Sequence, residues 1–390
     1  MLTTVAISNY RSLRRLVVPL KKLNVVTGPN GSGKSNLYRA LRLLADTAQG
    51  RVVSSVAREG GIKSALWAGP ESISRSMKRG DYPVQGTRRK DPVSLRLGFG
   101  SDEYGYLIDL GLPLQGPGSP SAFKLDPQIK RECIWHGPVL RPGALLVDRK
   151  GPLVRIRKED NTWSIVTECL SSFDSMMTHV SDARNAPEML TLRESIRNWR
   201  FYDQFRTDVD SPVRSPQIGT RTPVLSNDGS DVAAAIQTIR EIGEDELISG
   251  AVEDAFPCSQ VSVENIDGRF ALTMSQRGLL RPLGTAELSD GTLRYLLWVA
   301  ALLTPRPPEV MVLNEPETSL HPDLLGALGR LIARAAERTQ IIVVTHSKPL
   351  ISSLSEQAGC NSIMLEKTFG ETVISGMNKM CGPAWEWPTR

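Results

Sequence analysis

Apolar positions along this chain recur with two periods, and the switches between them mark out its parts. Apolar runs at 5–7, 16–20 and 23–27 read as strands, and the last runs straight into a glycine-rich turn. Residues 35–48 then carry helical spacing. Strand-like runs follow at 93–99, 104–110, 131–135, 153–156 and 163–166, separated by Gly/Pro turns such as the one at 114–120. They predict an antiparallel sheet.

Helical periodicity returns at 170–200 and 230–255, on either side of an Arg- and Pro-rich stretch at 205–223. From Val261 the pattern is again strand-like. A helix at 291–303, a very apolar strand at 310–313, a helix at 322–338 and a buried strand at 341–345 close the pattern. Strands alternating with helices in this way predict parallel βαβ units. The expectation is an α/β fold with a mixed sheet core, an antiparallel β lobe and an inserted helical lobe, divided at 1–169, 170–255 and 256–390. Internal repeats and sustained heptads with charged flanks are lacking, which argues against long coiled-coil arms.

Composition adds limits. With 390 residues, 40% of them hydrophobic and 23% charged, the chain can bury one large or two smaller cores without staples. Cysteines 133, 169, 258, 360 and 381 are scattered, form no C-x-x-C pair and have no histidine at metal-ligand spacing, so free thiols in a reducing compartment are expected. The apolar stretch at the N-terminus ends before Arg11, and no later run approaches the roughly 20 apolar residues that span a bilayer. A cytoplasmic protein without membrane contact is expected.

The net charge of +5 is unevenly placed, because residues 1–100 hold 18 Lys/Arg against 5 Asp/Glu. A basic face formed by Arg75, Lys78, Arg79, Arg88, Arg89 and Lys90 would suit double-stranded DNA; the same residues could equally form a solvated loop.

Four segments carry chemistry. Gly28-Pro-Asn-Gly-Ser-Gly-Lys34-Ser35 fits G-x-x-x-x-G-K-[ST] between a predicted strand and a predicted helix. Its glycines let the N–H groups of Asn30, Gly31, Ser32, Gly33 and Asn36 curl around phosphates at a helix N-terminus, Lys34 reaches the β/γ oxygens, and Ser35 can ligate Mg²⁺. Val310-Met-Val-Leu-Asn-Glu-Pro-Glu317 is an apolar strand that delivers polar groups to a sheet edge. Glu315 is the candidate for directing the attacking water. Asn314 stands where an aspartate usually holds the Mg²⁺ shell, and it supplies an oxygen without charge.

Glu287-Leu-Ser-Asp-Gly-Thr-Leu-Arg294 is a helix start at which Ser289, Asp290 and Gly291 can bind a γ-phosphate, or simply cap a helix. This turn is expected to complete the site of a second copy. Thr345-His-Ser347 follows the next strand, where His346 could sense the γ-phosphate or be merely structural.

Together with Ser8-Asn-Tyr-Arg-Ser-Leu13, Asn314-Glu-Pro-Glu-Thr-Ser-Leu-His-Pro322, Trp199-Arg-Phe-Tyr-Asp203 and Arg206-Thr-Asp208, these segments resemble the RecF/SMC/ABC-type ATPases. The resemblance is to the stand-alone AAA/ABC-type predicted ATPases of bacteria related to the ATPase parts of RecF and OLD proteins. It implies a P-loop NTPase of ABC/RecF-like head type. It also implies ATP and Mg²⁺ as cofactors, with ATP sandwiched between the heads of a homodimer or higher oligomer. In that subgroup asparagine before the glutamate looks habitual. The family further implies coupling to DNA or to a separate effector, a nuclease or toxin, in DNA repair or anti-phage defence. Only residues 347–390 follow His346, so a nuclease would be another chain. The expected activity is ATP hydrolysis; an ATP-gated scaffold or sensor that hydrolyses negligibly is the alternative, and a small-molecule kinase explains neither Ser289 nor His346.

Overall fold

The computed structural model describes residues 1–71, 75–79, 81, 92–113, 122–180, 186–377 and 382–389; the side chains of Arg75 and Lys78 lie outside this description. In chain order it opens with strands β1 (Leu2–Tyr10), β2 (Leu13–Pro19) and β3 (Leu23–Thr27), then helices α1 (Lys34–Thr47), α2 (Val52–Arg58), α3 (Ile62–Ala65) and α4 (Arg75–Arg79). Six strands follow: β4 (Leu95–Ser101), β5 (Tyr104–Gly111), β6 (Gln128–His136), β7 (Leu145–Lys150), β8 (Leu153–Arg157) and β9 (Trp163–Thr167). Next come α5 (Met176–His179), α6 (Pro187–Arg197), β10 (Arg200–Tyr202), β11 (Gln217–Ile218), α7 (Val232–Glu241) and α8 (Asp245–Ala255). The chain continues through β12 (Ser259–Ile266), β13 (Arg269–Gln276), β14 (Leu283–Gly284), α9 (Asp290–Leu302), β15 (Val310–Asn314) and α10 (Leu324–Ala336). It closes with β16 (Gln340–Val344), α11 (Lys348–Ser355), β17 (Cys360–Thr368) and β18 (Glu371–Ile374).

Two compact units result. The first comprises Met1–Lys21, Thr27–Trp199 and Ile363–Arg390; the second comprises Lys22–Val26 and Arg200–Ser362. The helices of the expected insertion fall into both, α6 in the first and α7 with α8 in the second. The single helical run at 230–255 breaks at Gly243, whose φ of 95° ends α7.

In the first unit an eight-stranded antiparallel sheet runs β2-β1-β4-β5-β6-β7-β8-β9. Helix α1 packs against β1 and β4, and Leu37, Leu41 and Leu44 are buried on it. A fully buried ion pair, Arg149 with Glu132 at 2.7 Å, is satisfied by Tyr106, Ser175 and the Ser171 carbonyl. Burying such a pair is tolerable only because its remaining lone pairs and protons find partners.

In the second unit β10, β15, β16 and β3 form parallel pairs in the order β10-β15-β16-β3. Their runs are apolar on both faces, as a sheet covered on both sides requires. Helices α7, α8, α9 and α10 pack into one hydrophobic core with this sheet, including Trp298, Tyr295, Phe205, Leu328 and Ile341. A smaller antiparallel sheet runs β11-β13-β12, with β14 beside β13. The sheet register puts Asn314 level with Val344, and Val344 level with Val26, so three strands end at one edge.

Candidate functional site

The glycine-rich turn predicted at 28–35 lies in the first unit, where β3 hands over to α1. Two of its glycines cannot be replaced. Gly28 has a φ of 144° and a Cβ there would lie 2.2 Å from the Leu365 carbonyl oxygen; Gly33, at φ 112°, would press one within 2.2 Å of Thr372 Oγ1. Hydrogen bonds run from Asn36 Nδ2 to Ser12 Oγ at 2.8 Å, between the Ser12 and Thr372 hydroxyls at 2.8 Å, and from Thr372 Oγ1 to the Ser32 carbonyl at 2.7 Å. Asn36 thus braces the β1–β2 turn against the loop. Lys34 Nζ curls over the loop and donates to the carbonyls of Gly28 and Pro29 at 2.6 and 3.2 Å. Asn30, Gly31 and Ser35 are exposed. An ammonium, loop N–H groups and the first turn of a 14-residue helix make a ready polyphosphate cradle.

In the second unit the strand ends gather Asn314, Glu315, Glu317, Thr345 and His346. Glu315 takes a left-handed backbone, φ 48°, with its N–H donating to the Val344 carbonyl at 2.8 Å. A non-glycine residue held there is strained, and such strain is kept where the surroundings over-determine it. Its half-exposed carboxylate lies 3.6 Å from His346 Nδ1. Glu317 is buried, and its Oε1 accepts from Thr345 Oγ1 at 2.6 Å and from the N–H groups of His346 and Ser347 at 3.0 and 3.2 Å. This latch fixes the turn after β16, and His346 Nδ1 lies 3.5 Å from the same oxygen. Asn314 donates from Nδ2 to Asp203 at 2.8 Å.

Ser289, Asp290 and Gly291 also lie in the second unit, at the start of α9. Ser289 caps the helix, its Oγ accepting the Thr292 N–H at 3.1 Å. Asp290 is held by Arg214 Nη2 at 2.5 Å, while Arg214 Nη1 donates to the carbonyls of Thr285, Ala286 and Leu288. Glu287 is clamped by the Arg281 guanidinium and the Gly284 N–H, which hold its carboxyl down at about 2. Buried Arg294 donates to the Thr318 carbonyl at 2.7 Å and the Phe205 carbonyl at 2.8 Å, and Trp298 Nε1 donates to the Pro316 carbonyl at 3.1 Å. The capped helix is therefore pinned to the loop that follows Glu315. A Cβ at Gly291 would come within 3.3 Å of the Ser319 carbonyl.

Sequence reasoning passed over Arg214 and left Asp203 without a role. The first sits in a stretch notable only for arginine and proline; the second shows its neighbour only through the parallel register of β10 and β15. Of the basic residues offered for DNA, Arg88, Arg89 and Lys90 lie outside the described residues, and Arg79 is exposed at the end of α4.

Among the described residues no group of three or more His, Cys, Asp or Glu is spaced to hold a metal ion. Mg²⁺ needs less, since it takes one or two protein oxygens and completes its shell with phosphate and water. Asn314 Oδ1 fits that need, being buried with no hydrogen-bond partner among the described residues. Ser35, in the first unit, is exposed at the start of α1. Cys133, Cys169, Cys258 and Cys360 are free thiols, Cys381 lying outside the described residues. No helix among them is long and apolar enough to cross a membrane.

Residues 23–353 match the family profile described as "AAA domain, putative AbiEii toxin, Type IV TA system". A search of curated proteins found no match. Among solved structures, an SMC head bound to the C-winged helix domain of ScpA is similar at 12% identity, with a TM-score of 0.51, over 97% of this chain and 98% of that one. The SMC head domain from Thermotoga maritima gives 14% identity and a TM-score of 0.42 over 97% and 99% of the two chains. At 12% identity the likeness to the ScpA-bound SMC head is one of fold.

Proposed function

The chain belongs to this AAA-domain family, with the mixed α/β fold of an SMC-type P-loop NTPase head, and from that premise we propose that it binds ATP with Mg²⁺ and hydrolyses it. In this reading two copies close over the nucleotide, the capped helix of one completing the site of the other. Lys34 and the loop N–H groups hold the phosphates, and Ser35 and Asn314 offer the metal its protein oxygens. Mg²⁺ supplies charge neutralisation on the phosphate oxygens. Glu315 orients water for in-line attack, and His346 reports the γ-phosphate.

The observation that carries this reading is the strained Glu315 beside a His346 turn latched by Glu317, at the edge where β15 and β16 end. A carboxylate held off its relaxed backbone, with a histidine 3.6 Å away, is an arrangement built for chemistry more than for packing. Closing and opening of the pair would couple to double-stranded DNA or to a separate effector protein in the cytoplasm, in DNA repair or anti-phage defence.

Phosphate release from ATP, measured against protein concentration with and without double-stranded DNA and with Lys34→Ala as the blank, tests the reading. Specific activity that climbs with concentration supports a dimerising ATPase, and a further rise with DNA supports the coupling. Release no greater than the blank sinks the hydrolytic reading and hands the protein to the ATP-gated scaffold.

A further inference from the structure

We propose that Asp203 is the missing acid of the strand-end site: it supplies the negative charge that Asn314 lacks, so that the two side chains act together as one split carboxylate. The inference rests on the nucleotide reading above.

The parallel register of β10 and β15 pairs Tyr202 with Leu313, which brings the next residues, Asp203 and Asn314, side by side where the strands end. The Asn314 Nδ2 donates to Asp203 Oδ1 at 2.8 Å. This bond decides which way round the amide lies. Turned over, the amide oxygen would face a carboxylate oxygen, two acceptors without a proton between them. The Nδ2 is therefore committed to Asp203, and Oδ1 is left buried without a partner among the described residues. A buried acceptor left unpaired is costly and calls for an explanation. A cation or its bound water provides one.

Asp203 is exposed, whereas the tyrosine before it is fully buried with its hydroxyl donating to the Leu225 carbonyl at 3.0 Å. The residues after it are tied down as well, Phe205 and Thr207 accepting from buried Arg294. An exposed carboxylate between two anchors is held in place without being desolvated. Asp203 acts as a positioning residue: it orients the Asn314 amide and makes its oxygen more negative, as outer-shell carboxylates do for metal-bound ligands.

The test uses Mn²⁺ as the probe, its free fraction followed by electron paramagnetic resonance with the full-length protein and a non-hydrolysable ATP analogue. Affinity for the analogue is first measured in EDTA. Asp203→Asn is expected to leave that affinity unchanged and to weaken Mn²⁺ binding about 10- to 100-fold. Asn314→Asp alone sets two carboxylates against each other and brings no gain. The exchanged pair, Asp203→Asn with Asn314→Asp, returns Mn²⁺ binding to within a few-fold of wild type. Unchanged Mn²⁺ binding in Asp203→Asn, or an exchanged pair as weak as the single variant, overturns the proposal. A wild-type protein that binds the analogue neither in EDTA nor in excess Mg²⁺ brings down the nucleotide reading at an earlier and separate step.

Discussion

Glu317 takes the hydroxyl of Thr345 at 2.6 Å across two adjacent strand ends, and the same oxygen collects the backbone N–H groups of His346 and Ser347. One buried carboxylate thus sets the turn that carries His346. Glu317→Ala leaves the Thr345 hydroxyl and the His346 N–H without an acceptor, the Ser347 N–H keeping Thr345 Oγ1 at 3.0 Å, and is expected to cost about 3 kcal/mol, with Glu317→Gln costing less. Urea unfolding measures both. A midpoint for Glu317→Ala equal to that of wild type would show that the turn holds itself.

Lys34→Ala is expected to abolish nucleotide binding, because the ammonium is the only cation within the loop 28–35. Ser289→Arg is expected to spare binding and destroy turnover, since it places a bulky cation at the helix start that the partner copy would use. Isothermal titration with ATP followed by phosphate release separates the two. Equal turnover per subunit in Ser289→Arg would rule out a site completed by a second copy.

Arg214 ties four carbonyls, those of Thr207, Thr285, Ala286 and Leu288, and the Asp290 carboxylate to one side chain. Lysine cannot reproduce a planar fork with several fixed donors. Arg214→Lys is therefore expected to lower turnover about tenfold while the affinity of Lys34-dependent ATP binding stays at the wild-type value. A parallel loss of ATP affinity would mean that Arg214 serves the general fold and not the helix start.

Burial pushes the Cys133 thiol up to about 12, with Asp148 adding to the rise and Arg131 opposing it. The neutral form is favoured in the fold. An unfolded thiol ionises from about 9 upward, so this group's contribution to stability is intact below that value and is lost as the pH rises towards 12. Native protein at pH 8 should alkylate at exposed Cys169 and Cys258 and spare Cys133, which should react only after unfolding. Mass spectrometry of the labelled peptides reads this directly.

What the sequence made legible was whatever is local. The spacing of residues 28–35 dictates a loop geometry by itself, and the apolar strands at 310–313 and 341–345 have no other way to be satisfied than in a covered sheet. Ser289 marks its helix start by its type alone. Residues 170–175 share the apolar spacing of the helix expected there, yet the chain turns helical only at Met176. The short helices α2 and α3 carry too few residues for a period to show. Asp203 and Arg214 were illegible for a different reason. Their partners are 111 and 76 residues away along the chain, and only the folded register makes them neighbours.

The central strand β3 is made near the start of synthesis, but its parallel neighbour β16 is encoded more than three hundred residues later. At roughly 5–20 residues per second, the ribosome takes on the order of 15–60 s to deliver that partner. Through this interval the apolar run at 23–26 has emerged with no strand to sit beside on that side. A nascent chain of this kind needs shelter, and its yield in a cell should follow the supply of chaperones that hold extended apolar segments.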